Sequence, residues 1–235
     1  MYYKFEKEVS FYTQCYDKDY QHVLDENRIL NTIQLTKLPY NIIINLCDNY
    51  IVVKEHCEIL REKMLINNYF CVNEYLYDIL EYFNLTEEQF TCNLNYKICL
   101  YGMAALFFCK TQYLFFLTGD SIPTHMGNFI MDCLAHIKQT SELYTYTLNW
   151  ADSLDHPRSQ SYKEDEKFLY VRNFSDQNFL VNKNCLNINK LLQDFNTTGY
   201  PHIDAFESRF SKYMSDNNIC RAIYKEGNYK HQNFF

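Results

Sequence analysis

Apolar residues along this chain fall into unbroken runs and runs with helical spacing. The densest run, Tyr113-Leu114-Phe115-Phe116-Leu117, has no polar alternation and stops at Thr118-Gly119-Asp120-Ser121. That pattern predicts a strand buried on both faces, as in the middle of a parallel sheet. Val9 to Thr13 and Tyr40 to Asn45 predict two earlier strands, the second with Ile42, Ile43 and Ile44 at its centre. Tyr20 to Leu30 and Ile51 to Leu65 have helical spacing, and Tyr69 to Phe83 reads as one helix or two short ones. Asn95 to Cys109 is apolar on nearly all sides, which predicts a buried helix.

Beyond Ser121 the spacing predicts a helix from about Met126 to Ile137, then strands at Tyr144 to Trp150 and Phe168 to Val171. Leu154 to Glu166 lacks any period and reads as an exposed loop, with the part around His156 to Glu166 a candidate lid. Two more helices are expected, at about 188–195 and 203–217. Three strands of the first half therefore end in polar residues: Thr13-Gln14, Asn45 to Asn49, and Gly119-Asp120-Ser121. In open α/β sheets ligands sit beyond the carboxyl ends of the strands, so three such endings suggest one ligand-holding rim.

Composition narrows the picture. At 235 residues, 47% hydrophobic and 17% aromatic, the chain suits one α/β domain with a large core. A net charge of −7 gives no broad footprint for nucleic acid, leaving at most a local patch around Arg221, Lys225 and Lys230. The ten cysteines are scattered, form no CxxC pair and follow no secretory signal, so a reduced, cytoplasmic location is the simpler expectation. Leu100 to Leu117 is the longest apolar stretch, but Lys110-Thr111-Gln112 divides it into pieces too short for stable membrane insertion.

Four segments together resemble the A-type, nucleotide-diphospho-sugar-binding glycosyltransferases. Val9 to Asp19 resembles the opening strand and nucleotide-wrapping loop of that family, and Ile42 to Asp48 resembles its second strand. Tyr96 to Ser121 resembles the helix and strand that lead to its metal-binding Asp-X-Asp. Phe174 to Leu180 and Tyr229-Lys230-His231 resemble the acceptor-side segment and a C-terminal metal-ligand histidine. The resemblance implies a Rossmann-like, mixed but mainly parallel sheet flanked by helices in a single domain. Residues 1–121 would form the nucleotide-sugar half and 122–235 the acceptor half. The chain departs from the family at Gly119-Asp120-Ser121, which carries one carboxylate where the pattern has two.

The resemblance further implies transfer of a sugar from a nucleotide-diphosphate donor, a UDP-sugar first among them, to a hydroxyl of a glycan, lipid-linked sugar or protein. A modified DNA base is a narrower variant. Asp120 and His231 would hold Mn²⁺ or Mg²⁺ together with diphosphate oxygens and water, with His125 in reserve. Without a metal, Arg221, Lys225 or Lys230 would offset the charge of the leaving diphosphate. Thr13, Gln14, Tyr16, Asp48, Gly119, Lys225 and Lys230 are the expected nucleotide contacts, and Asp176, then Glu207, the expected catalytic bases.

Each role has a plainer counterpart. Asp120 suits a turn, Asp48-Asn49 a cap for the helix near Ile51, and Asp176 a cap for a helix starting at Gln177. His231 belongs either to a free tail or to a segment anchored over the site by Tyr224, Tyr229, Phe234 and Phe235. A nucleotidyltransferase shares the architecture, but Gln14-Cys15-Tyr16-Asp17 lacks the Gly-rich basic loop that enzyme needs. A non-enzymatic α/β interaction module is the remaining alternative.

Overall fold

The computed structural model describes residues 5–91, 96–140, 142, 144–150, 153–191 and 205–232. Strand β1 (Val9–Cys15) leads into helices α1 (Tyr20–Val23) and α2 (Glu26–Thr36), then β2 (Tyr40–Ile44), α3 (Tyr50–Glu62), β3 (Asn68–Cys71) and α4 (Val72–Tyr82). Next come α5 (Glu87–Thr91), α6 (Tyr96–Phe108), β4 (Tyr113–Leu117), β5 (Ser121–His125), α7 (Phe129–Gln139) and β6 (Tyr144–Asn149). The last third holds α8 (Asp155–Gln160), β7 (Lys163–Glu164), β8 (Phe168–Val171), β9 (Asn178–Asn182), α9 (Ile188–Leu191), α10 (Ala205–Asp216) and β10 (Cys220–His231).

All ten strands join one sheet, in the order β3-β2-β1-β4-β9-β6-β10-β8-β7, with β5 paired to the far end of β10. Strands β3, β2, β1 and β4 are mutually parallel, so their carboxyl ends share one edge. Strand β9 runs antiparallel to both β4 and β6, which brings its first residue, Asn178, beside Leu117 at that edge. The expected mixed, mainly parallel α/β sheet flanked by helices is what forms.

Burial on both faces explains the unbroken apolar runs. Tyr113, Phe115 and Leu117 enter one core layer with Phe129 and Ile29, while Leu114 and Phe116 enter the opposite layer with α6 and α10. Helix α6 is apolar all round because it packs against both α4 and α10 beneath the sheet. At its crossing with α10, a Cβ on Gly102 would stand 2.5 Å from the Phe206 ring, so a larger residue would hold the helices apart.

Several elements differ from the sequence expectation. The helix expected over 20–30 is broken because the Asp25 carboxylate accepts from the Arg28 amide at 3.0 Å and starts α2 there. Residues 69–71, expected to open a helix, belong to β3, which pairs parallel beside β2, and residues 121–125 form β5. The expected loop 154–166 contains α8 and β7. The segment after Gln177 is a strand, so Asp176 caps no helix there. The tail is likewise a strand: β10 leaves β6 and β8, shifts register between Asn228 and Tyr229, and pairs with β5. Part of the helix expected at 188–195, together with the anchors Phe234 and Phe235, lies outside the described residues. Among the described residues no helix is long and apolar enough to cross a membrane, and Cys15, Cys47, Cys57, Cys71, Cys109, Cys133, Cys185 and Cys220 are free thiols.

Candidate functional site

Gly119 is the tightest point of the shared edge. A Cβ there would lie 2.4 Å from the Gln14 carbonyl oxygen and 3.0 Å from a Val23 methyl, so no larger residue lets the ends of β1 and β4 come this close. Arg28 reaches across from α2 and donates to the Gly119 carbonyl, with the Ser121 carbonyl 3.4 Å away. The hydroxyls of Thr118 and Ser121 lie 2.7 Å apart, and both face the Gln177 amide oxygen. The Gly119–Asp120 turn is thus held from both sides.

Asp120 is met by the returning tail. His231 Nε2 lies 2.8 Å from Asp120 Oδ2, and the Gln232 amide donates to the Asp120 carbonyl at 2.8 Å. The other carboxylate oxygen, Oδ1, is sealed from solvent with no hydrogen-bond partner among the described residues. A buried carboxylate oxygen in that condition calls for a cation or a donor. His231 stands there because β10 pairs with β5 in a register that sets it opposite Ser121.

Asp19, the last residue of the loop between β1 and α1, also stands at this edge, its Oδ2 3.4 Å from where a Cβ on Gly119 would lie. Its Oδ1 accepts from the Tyr16 amide at 2.8 Å. Burial pushes its carboxyl up to about 7, and the nearby Asp120 charge adds to this, while the Tyr16 N–H and Arg28 oppose it. Burial also raises the Tyr16 phenol, and the carboxylates of Asp19, Asp120 and Asp17 push the same way. Tyr16 and Asp120 therefore share one electrostatic environment.

A cavity of about 560 Å³ opens beside this edge, on the face of the sheet covered by α10. Thr147, Asn149 and Trp150 line it from the end of β6, His156 and Gln160 from α8, and Glu207 from the first turn of α10. Arg221, Tyr229 and His231 enter from β10, and Asp176 and Gln177 from the turn before β9. Asp176 is 3% exposed, and its Oδ2 accepts from the Tyr101 hydroxyl. Tyr101 is itself fixed by parallel stacking on Phe116, with ring centroids 5.5 Å apart. Burial pushes the Tyr229 phenol up to about 12, with Arg221 pulling it down and Asp176 and Asp120 pushing it up. Tyr229 therefore stands between the two parts of the site.

The structure brings together Gln14, Tyr16, Gly119, Asp120 and His231 at the edge, and Asp176 and Glu207 in the cavity. Thr13 is enclosed within β1, and Gln14 accepts from Asn45 at 3.2 Å. Asp48 is exposed after β2, and Asn49 begins α3 without a side-chain cap. Lys225 does not line the cavity: its ammonium donates to Glu164 Oε1 at 2.8 Å and to the Asp165 carbonyl at 2.7 Å. Lys230 is exposed and alternates with Tyr229 and His231, so it faces the other side of β10. His125 is exposed opposite Asn228. Sequence reasoning missed Asp19, Arg28 and Tyr101, and took Tyr229 only as an anchor of the tail. Among the first three, only Asp19 carried a local signal, as a carboxylate in the polar connection that follows an apolar strand.

Comparison with known proteins identifies the fold. The chain is similar to the structure of residues 1–349 of TarS from S. aureus, with a TM-score of 0.50 and 11% identity, covering 96% of this chain and 60% of that one. It is also similar to GalNAc-T7 in complex with UDP, GalNAc and Mn²⁺, with a TM-score of 0.54 and 9% identity, covering 98% of this chain and 44% of that one. The chain thus spans less than two thirds of the length of either. No protein-family model matches the sequence, and no curated protein matches it.

Proposed function

We propose that this chain, which has the A-type glycosyltransferase fold, transfers a sugar from a nucleotide-diphosphate donor, a UDP-sugar first among them, to a hydroxyl acceptor. The observation that carries this reading is the meeting of Asp120 with His231 at the edge where β1, β2 and β4 end. Gln14, Tyr16 and Gly119 would receive the nucleotide beside them. The similar GalNAc-T7 structure holds UDP and Mn²⁺, which supports a donor of this class.

The residues at Asp120 fit a divalent cation in part. Oδ1 is buried without a partner among the described residues and the His231 imidazole is adjacent, an oxygen and nitrogen pair suited to Mn²⁺ or Mg²⁺. Among the described residues no third acidic, histidine or cysteine ligand joins them, so diphosphate oxygens and water would complete the shell. A cation bound there supplies charge neutralisation for the departing diphosphate.

The protein's own part of the chemistry lies across the cavity. In an inverting transfer, the bond from the acceptor oxygen to the sugar anomeric carbon forms as the bond to the diphosphate oxygen breaks. Asp176 takes the acceptor proton, while the Tyr101 hydroxyl on Oδ2 holds the carboxylate in place. Glu207 lines the same cavity and is the second candidate base.

Thermal unfolding with UDP, GDP and CDP, each with and without Mn²⁺, tests the reading. UDP with Mn²⁺ should raise the melting temperature, by linkage, more than UDP alone. Asp120→Asn should abolish the Mn²⁺-dependent increment. A protein indifferent to every nucleotide would return the fold to the interaction-module reading.

A further inference from the structure

Arg221 is the arginine that faces the cavity. It lines the cavity from the start of β10, and its Nε is sealed from solvent with no hydrogen-bond partner among the described residues. Among the described residues the guanidinium makes no hydrogen bond and no ion pair. Glu207 and the Tyr229 phenol act on it only through space, and burial holds its pKa near 10, so it stays charged at neutral pH. A guanidinium carries five donors: Nε is buried without an acceptor, and the half-buried side chain faces the cavity, where a ligand would supply acceptors. Lys225, by contrast, is fully engaged by Glu164 and the Asp165 carbonyl.

The position of Arg221 says which ligand it serves. It is in register with Thr145 of β6, and from Thr145 to Asn149 at the edge that strand rises about 13 Å. Strands β9 and β6 separate β10 from β4, a lateral offset of roughly 14 Å from the strand that presents Asp120. The guanidinium is therefore rooted well below and to one side of the diphosphate position. Asp176 lines the same cavity as Arg221.

Building on the glycosyltransferase reading, we propose that the acceptor is an anionic saccharide. Its carboxylate or phosphate docks on Arg221 at the floor of the cavity, and its reacting hydroxyl lies at Asp176. The planar guanidinium matches either anion through paired hydrogen bonds.

Isothermal titration of the whole protein with glucuronate, glucose 6-phosphate and glucose, with UDP and Mn²⁺ present and absent, tests this. One or both anionic sugars should bind at least about tenfold tighter than glucose, and which of them does so separates a carboxylate from a phosphate acceptor. Arg221→Met should remove that preference, and Arg221→Lys should restore only part of it. Equal binding of all three sugars by the unaltered protein overturns the proposal, whether or not the variants fold. Loss of UDP binding in Arg221→Met with the sugar preference intact overturns it too, by assigning Arg221 to the donor. Absence of UDP binding by the unaltered protein would instead sink the donor reading, leaving the sugar titrations to report on Arg221 separately.

Discussion

At Gly119 the chain is packed against its own backbone, with the Gln14 carbonyl where a side chain would begin, whereas the cavity beside α10 is walled by side chains from five separate segments. The edge is rigid because backbone positions, hydrogen bonds from Arg28 and the Gln232 amide, and the Thr118–Ser121–Gln177 cluster all define it. The cavity gains its chemistry from groups that meet only there, Asp176, Glu207, Arg221 and Tyr229. A donor common to many enzymes suits a site made of backbone. An acceptor peculiar to one enzyme suits a site made of exchangeable side chains, and this division is what the two regions teach.

Asp176→Asn strikes the cavity and should have the largest effect. The amide still accepts from Tyr101, so the fold is kept, but it takes no proton from the acceptor. Turnover should fall about 10²–10⁴-fold with the UDP-induced melting shift unchanged. A parallel loss of UDP binding would erase the boundary drawn between the two regions.

Gly119→Ala strikes the edge. Because the atom in the way is a backbone oxygen, relief requires β1 and β4 to part, at a cost of about 1–3 kcal/mol read from denaturant unfolding. The same variant should lose most of its Mn²⁺-dependent UDP response, since Asp120 moves with residue 119. A variant of unchanged stability would show that the edge is less rigid than the cavity.

Asp19→Asn has the smallest expected effect and concerns pH. The Asp19 pKa in the folded protein is about 7, above its ordinary 3.8, so the folded state keeps a proton that the unfolded chain releases. The unfolded state binds fewer protons across this interval, so the stability contribution is full below pH 4 and declines as pH rises to about 7. The variant keeps the acceptor for the Tyr16 amide and removes the titration, so its melting temperature should vary less between pH 4 and 7. An unchanged pH profile would place the titrating group elsewhere.

How much of this was readable beforehand follows from which signals are local. Strands β1, β2 and β4 and helices α3, α6 and α10 announce themselves through their own spacing, because burial on one or both faces leaves a period in the residues themselves. Strands β3, β5, β9 and the end of β10 do not. Tyr69-Phe70-Cys71 and Ser121-Ile122-Pro123 are too short to show a period, and they are strands because β2 and β10 offer them hydrogen bonds. The same holds within the site. Gly119 and Asp120 follow directly from the end of an apolar run, whereas Tyr101 sits on a uniformly apolar helix where nothing marks one hydroxyl as facing Asp176.

The amino-acid sequence alone determined that a buried strand would end in a glycine and a carboxylate, and that two earlier strands would end in polar residues. Tertiary structure decided that His231 returns to Asp120, that Lys225 is turned away onto Glu164, and that Asp176, Glu207 and Arg221 face one cavity. The physical reason is that a side-chain period records only how a segment is buried. Which distant segments meet depends on strand pairing and register, and these are set by the whole sheet.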